Sequence, residues 1–201
     1  MLEFQTIRYK NFLSTGNNET EIVFTSPTTL ILGDNGSGKS TILDALCFVL
    51  FGKPYRKIKK EQLINSINQR DCLVEIEFNT RGDHYKIRRG IKPNFLNIIK
   101  NGKLLEENAA VKDQQEYLET HILKLSMKSF TQLVILGSAS FVPFMQLSAA
   151  DRRALVEDIL EIQVLSEMNE LLKGRAAKVK QEIALVEQQV VSTSEAIRLV
   201  E

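Results

Sequence analysis

Cysteine is scarce in this chain: Cys47 and Cys72 are the only two among 201 residues. Two thiols cannot build a disulfide framework, and they read as small core hydrophobes of a protein in a reducing compartment. Long apolar runs are also missing. The longest near the glycine-rich stretch, Ala45 to Phe51, covers seven residues and falls far short of a membrane span, so no membrane partner is expected. The opening "MLEFQTIRYK" alternates like a strand and lacks the charged-then-apolar order of a secretory signal. The formal net charge is only +1, so any case for nucleic acid must rest on local clusters of cations. His84 and His121 stand alone, without metal-site spacing. Low-complexity stretches and internal repeats are absent too. What remains, 43% apolar and 25% charged residues, describes a soluble globular chain of one to two structural units, expected in the cytoplasm.

Local patterns then divide the chain. "LEFQTIRY" alternates as a strand and leads into the turn-rich "NFLSTGNNET". "EIVFT" and "TTLILG" read as two short strands punctuated by Ser26-Pro27. Thr41 to Phe51 reads as a helix that Gly52 can terminate and Pro54 cannot continue. "DCLVEIEFNT", "DHYKIRRGI" and "NFLNIIKNGKLL" suggest an antiparallel meander with turns at "TRGD" and "NG". "AAVKDQQEYLETHIL" reads as a helix, and "SFTQLVILGSASF" as a buried strand running into a loop. From Ser148, suited to N-capping, "SAADRRALVEDILEIQVLSEMNELLKG" runs on as one helix. Leu172, Ala176, Val179, Ile183, Val186, Val190, Thr193, Ile197 and Val200 continue it at alternating spacings of four and three. Such a seam predicts a coiled coil, and it reaches Glu201 without a cap. The expected division is therefore 1–147 for a globular lobe and 148–201 for the start of an antiparallel coiled coil.

The strongest motif lies between the second of these short strands and the first helix. Gly33-Asp34-Asn35-Gly36-Ser37-Gly38-Lys39-Ser40 fills every fixed position of G-x-x-x-x-G-K-[ST]. Glycines open backbone conformations in which successive N–H groups curve round an anion, and a helix N-terminus aims its unpaired donors at the same point. Lys39 offers a mobile cation to β- and γ-phosphates, and Ser40 a hydroxyl to Mg²⁺, which makes these two the catalytic candidates. Hydrolysis also calls for an acidic residue ending a buried strand, and none is evident. "ALVED" lies on the long helix and "CLVEIEF" alternates. A half-built site and an open coil seam predict that the complementary half lies after Glu201 or on another chain.

"YKNFLSTG", "LILGDNGSGKSTILDALCFVLFGKPYRKIKKEQLINS", "KIRRGIKPN" and "VILGSASFVPFMQLSAADRRALVEDILEI" resemble the SMC-like ABC ATPases. Within them the stretches are most similar to the SbcC-type ATPase subunit of the double-strand-break repair nuclease, the phage recombination endonuclease version above all. The resemblance covers most of residues 1–172. It implies an α/β fold: a P-loop ABC-type ATPase head lobe, with a mixed sheet that includes the antiparallel meander, followed by a long coiled-coil helix. It also implies a second half of the same head, ATP and Mg²⁺ as cofactors, and head homodimerisation on ATP. The implied partners are a metallophosphoesterase-type nuclease subunit and double-stranded DNA. Asn35, Gly36, Gly38, Lys39, Ser40 and Thr41 match the family's triphosphate contacts, with Gly33, Asp34 and Ser37 completing the loop. Asn11, Phe12, Leu13 and Ser14 match positions near the nucleotide, and Ile64, Asn65 and Ser66 do so more loosely. Where many relatives carry a metal-contacting glutamine, this chain has Gly137-Ser138-Ala139-Ser140. Ser138 is then either a second metal contact or an ordinary loop serine.

Lys53, Arg56, Lys57, Lys59 and Lys60 put five cations within eight residues, and Arg88, Arg89 and Lys92 form a smaller cluster. Such density suits either phosphate-backbone contact with DNA or a solvated basic surface. The stripe Leu155, Val156, Ile159, Leu160, Ile162, Val164 and Leu165 is broader than a two-helix seam needs, and fits either the docked nuclease or the chain's own head. The expected function is an ATP-binding and hydrolysing head that gates a partner nuclease in break repair. Its competitors are a chromosome-structuring ATPase, a transporter ATPase subunit and a coiled-coil protein with a vestigial site.

Overall fold

The computed structural model describes residues 2–24, 28–105, 110–136, 142–160 and 162–198. Six strands form one antiparallel sheet in the order β2-β1-β3-β4-β5-β6: β1 Glu3–Lys10, β2 Thr20–Val23, β3 Cys72–Thr80, β4 Asp83–Ile91, β5 Phe95–Lys100 and β6 Lys103–Leu105. The meander read from alternation is present in full. Its Asn101-Gly102 turn places both residues at positive φ, 50° and 79°, the pair of left-handed conformations that a tight hairpin needs.

Period-two alternation gives the sheet two unlike faces. Ile7, Tyr9, Val74, Ile76, Phe78, Tyr85, Ile87 and Ile98 are buried on the inner face. There they join helix α1, Lys39–Phe51, whose Phe48 ring lies 5.6 Å from that of Phe12. The outer face is a charge lattice. Arg8 reaches Glu21, Glu75 and Glu77 at 2.7–2.9 Å, while Lys86 and Arg88 close on Glu75 at 2.7 and 3.0 Å. The register makes these neighbours, because Arg8 stands opposite Glu75, and Glu75 opposite Arg88.

Helix α2, Val111–Tyr117, continues into a wide helical turn over Leu118–Leu123, as the pattern predicted. The next segment differs from its reading. "SFTQLVIL" is helix α3, Met127–Leu133, followed by irregular chain, and residues 137–141 lie outside the described residues. Ser126 caps this helix, its hydroxyl accepting from the Ser129 amide at 3.2 Å, and Phe130 is fully buried. Of the apolar run that mimicked a strand only Leu133 falls in this helix, and Val134, Ile135 and Leu136 follow as irregular chain.

"TTLILG" also differs. Thr28 to Leu32 forms no strand pairing among the described residues, and Leu30 and Leu32 are 78% and 79% exposed. β-propensity supplies a shape and no partner, and an unpaired strand leaves its backbone groups to water.

The chain divides into two compact units, Met1–Arg152 and Arg153–Glu201. Ser148 caps helix α4, Ala149–Ile159, as expected, its hydroxyl accepting from the Asp151 amide at 3.1 Å. The predicted single long helix is divided: α4 ends at Ile159 and α5, Gln163–Arg198, begins anew. Past the end of α4 the Ile162 amide donates to the Glu157 carbonyl at 3.1 Å, a wider turn than a helix makes, and Glu161 lies outside the described residues. No glycine or proline announces it, so periodicity carried straight through. Along α5 the seam residues Leu172, Val179, Ile183, Val186 and Val190 are all more than half exposed. No described helix is long and apolar enough to cross a membrane.

Candidate functional site

The loop between Leu32 and α1 is built by its glycines where geometry demands them. Gly36 and Gly38 sit at φ 89° and 92°, in the left-handed region that other residues avoid. Gly38 is also the N-cap of α1. It supplies no side-chain cap, and the first turn of the helix carries no acid. A 13-residue helix therefore presents its N-terminal donors and positive dipole end without an internal anion to satisfy them. Lys39 folds back over the loop, its ammonium donating to the carbonyls of Gly33 at 2.6 Å and Asp34 at 2.7 Å. The Ser37 amide donates to Asp34 at 3.2 Å, which closes the turn.

A hollow of about 440 Å³ opens over this helix end, lined by Leu13, Ser14, Asn35, Gly36, Gly38, Lys39, Ser40, Thr41 and Arg56. Eight of these were sequence candidates for a nucleotide or its metal, drawn from two segments that the fold brings together. Arg56 was read with the basic cluster, and the structure gives it a different setting. Its amide and Nε donate to the Asp44 carboxylate at 2.9 and 2.6 Å. Asp44 is fully buried on α1. An aspartate inside the apolar run "ILDALCFVL" was the available clue, since a buried carboxylate needs a cationic partner.

The remaining candidates divide sharply. Phe12 is fully buried in the core, and Asn11 is 1% exposed with φ 50°. Ile64 forms an isolated bridge with Phe12. Asn65 is buried and fully occupied, its side-chain amide donating to Leu13 and Thr15 carbonyls at 3.2 and 3.0 Å. Its carbonyl accepts from the Ile67 and Asn68 amides at 3.0 and 3.1 Å. Asn11, Phe12, Ile64 and Asn65 thus hold the loop that delivers Leu13 and Ser14 to the hollow, and do not line it. Ser66 is exposed and lines nothing there, while Gly33, Asp34 and Ser37 shape the loop beneath. Ser138 lies outside the described residues.

Among the described residues no group of three or more His, Cys, Asp or Glu could hold a metal ion by itself. Ser40, exposed beside Lys39 at the helix start, fits Mg²⁺ that takes most of its oxygens from phosphates and water. Cys47 and Cys72 are buried and uninvolved. Burial pushes both thiols up to about 12, the carboxylate of Asp44 adding to the effect at Cys47.

In the basic cluster Lys53, Lys57, Lys59 and Lys60 are exposed, with Lys60 donating to the Asn94 side chain at 3.0 Å. The smaller cluster dissolves. Arg88 joins the outer charge lattice through Glu75, and Arg89 is 6% exposed on the inner face.

The AAA domain family matches residues 6–197. The chain is 47% identical over 169 residues to exonuclease subunit 2 of Enterobacteria phage T4, covering 84% of this chain and 30% of that protein. It is 35% identical over 171 residues to the DNA double-strand break repair Rad50 ATPase of Thermoplasma acidophilum, covering 83% and 19%. The chain therefore spans less than a third of the length of these relatives. Among solved structures, the Smc head domain with an extended coiled coil from Pyrococcus furiosus superposes with a TM-score of 0.61. That match is 27% identical and covers 93% of this chain and 49% of the other. The chain thus belongs to the AAA domain family, as an SMC-like member similar to the SbcC- and Rad50-type ATPases.

Proposed function

We propose that this chain is the N-terminal part of an ATP-binding and hydrolysing head whose ATP-driven homodimerisation controls the access of a partner nuclease to double-stranded DNA. The observation that carries the reading is the hollow at the N-terminus of α1. A helix end without an internal anion, glycines at positive φ and two cations, Lys39 and Arg56, converge where a triphosphate would lie.

Lys39 turns from the Gly33 and Asp34 carbonyls to the phosphates, and the α1 amides hold them in line. Leu13 and Ser14, which also line the hollow, meet the base or ribose in this reading. Asp44 orients Arg56 so that its free guanidinium edge faces the phosphates. Ser40 would hold Mg²⁺, which when bound neutralises charge on the phosphate oxygens. The carboxylate that completes hydrolysis belongs, in this reading, to the C-terminal half of the same head or to the neighbouring head.

Two features support an incomplete head. The Thr28–Leu32 segment shows strand sequence and exposed leucines without strand partners among the described residues, and α5 carries an exposed apolar seam. The first fits a sheet finished by the C-terminal half, the second an antiparallel coiled coil starting near Ser148. The name of the phage T4 relative, an exonuclease subunit, supports a nuclease partner, which this reading takes to be of metallophosphoesterase type, and the exposed lysines at 53, 57, 59 and 60 support DNA. A phage-encoded protein of this kind would work in the host cytoplasm. The likeness to an Smc head favours one second reading, a chromosome-structuring ATPase without a nuclease. Co-purification of a nuclease subunit separates the two.

The test is ATP-dependent dimerisation of the full-length protein, followed by light scattering. Lys39→Ala abolishes it in this reading; dimerisation retained by the variant contradicts the mechanism. Reversing charge at Lys57, Lys59 and Lys60 should weaken duplex binding and flatten its salt dependence. Unchanged affinity across a salt titration would remove DNA from these residues.

A further inference from the structure

The far end of α1 is held by a group that nothing in the nucleotide site uses. Helices end with carbonyls that lack intrahelical partners, and inside a core each must find a donor. In α1 three successive carbonyls are met by three different elements. Gly52, at φ 71°, donates its amide to the Phe48 carbonyl at 2.8 Å. Arg89, from β4, donates Nε to the Val49 carbonyl at 3.0 Å. Gln115, from α2, donates to the Leu50 carbonyl at 3.0 Å. The last two are linked: Arg89 donates a second time to the Gln115 side-chain carbonyl, and Gln115 donates to Glu119 at 2.6 Å.

Arg89 is built into this place on every side. Its guanidinium carbon lies 5.9 Å over the Phe48 ring. A methyl group at Gly52 would come within 3.0 Å of its Nη1, so the residue that ends the helix must be glycine for two reasons at once. Burial lowers its pKa to about 10, with Glu119 opposing that shift, and it stays charged at neutral pH. A cation at a helix C-terminus also complements the dipole whose other end faces the hollow.

A buried arginine is a costly way to cap a helix, since one amide or a water would satisfy a carbonyl. Its distinguishing property is rigidity: a planar fork fixed at several points leaves the helix no freedom to slide or turn. At 1.5 Å per residue α1 is about 20 Å long and transmits such a constraint to its first turn. Donors there must sit within a few tenths of an ångström to bond phosphate well.

We infer that Arg89, with Gln115 and Glu119, is a positioning clamp that sets the axial placement of α1 and so the grip of its N-terminus on phosphate. The inference rests on the nucleotide reading of that hollow. The clamp touches no phosphate, and its effect is confined to the part of the ligand that the helix end reads.

The test uses the full-length protein and the variants Arg89→Met, Arg89→Lys and Gln115→Met. Each is titrated with ATP, and with inorganic triphosphate as competitor, at a temperature where its circular dichroism is that of the parent. Arg89→Met should weaken both ligands roughly tenfold. Arg89→Lys, which keeps the charge and one donor, should recover part of the loss, and Gln115→Met should show a smaller loss with the same equality between ligands. Should Arg89→Met not fold, the remaining two variants carry the comparison. Parent affinity in Arg89→Lys and Gln115→Met together, with only a lowered melting temperature, makes the cluster purely structural and overturns the inference. A parent protein that binds neither ligand instead overturns the nucleotide reading itself.

Discussion

The two ends of α1 differ in a way that organises the molecule. At its C-terminal end the last-turn carbonyls of Phe48, Val49 and Leu50 are met by Gly52, Arg89 and Gln115, and aromatic rings pack around them. At its N-terminal end Gly38 caps nothing with a side chain, Lys39 leans on carbonyls of its own loop, and the preceding Thr28–Leu32 segment lies exposed. One end is finished within the chain. The other has the form of a site whose partners come from outside, and the contrast shows where folding stops and recognition begins.

The sharpest way to break this comparison is to injure the finished end. Phe48 is fully buried between Phe12 and Arg89, and Phe48→Ala should cost about 3–5 kcal/mol, read from a denaturant midpoint. Gly36→Val injures the open end. No atom lies within 4 Å of a Cβ there, so the penalty is chiefly backbone strain, about 1–2 kcal/mol, while nucleotide affinity should be lost almost entirely. Calorimetry on one preparation reads both effects.

Acid should act on the sheet's outer face. Burial alone would raise the Glu77 pKa, but hydrogen bonds from Arg8 and Lys86 outweigh it and hold the carboxyl below its usual range. A depressed carboxylate contributes stability that is present above its unfolded pKa and is lost as pH falls through the folded one. Melting temperature should therefore decline below about pH 4.5, the ordinary glutamate value, and Glu77→Gln should blunt that decline. The smallest effect belongs to Leu32→Ser, expected within about 0.5 kcal/mol in the 201-residue chain because Leu32 is 79% exposed. If the proposed C-terminal half completes the sheet over Leu32, the same change in a protein carrying both halves should cost about 2 kcal/mol or more.

Much of this was legible in the residues. The loop "GDNGSGKS", the helix ended by Gly52 and the four-strand meander followed from turn chemistry and alternation, which are local properties. The segments that misled were those whose fate depended on a partner. "TLIL" and "LVIL" carry equal strand character. The first pairs with no strand among the described residues, and of the second only Leu133 falls in the helix that Ser126 caps, with irregular chain beyond it. Clusters of cations misled for another reason, since adjacency in sequence says nothing about facing. Arg88 and Arg89 stand on opposite faces of β4, which strict alternation could have shown. Arg56 was separable from its lysine neighbours only through Asp44, the one acid in the apolar run of α1.

The most direct measurement is a crystal structure of the full-length protein with a non-hydrolysable ATP analogue and Mg²⁺. The account predicts the triphosphate at the N-terminus of α1, with Lys39 Nζ withdrawn from the Gly33 and Asp34 carbonyls and bonded to phosphate oxygens, Arg56 beside it, and Ser40 on the metal. An analogue bound elsewhere, with Lys39 still resting on its own loop, would contradict it.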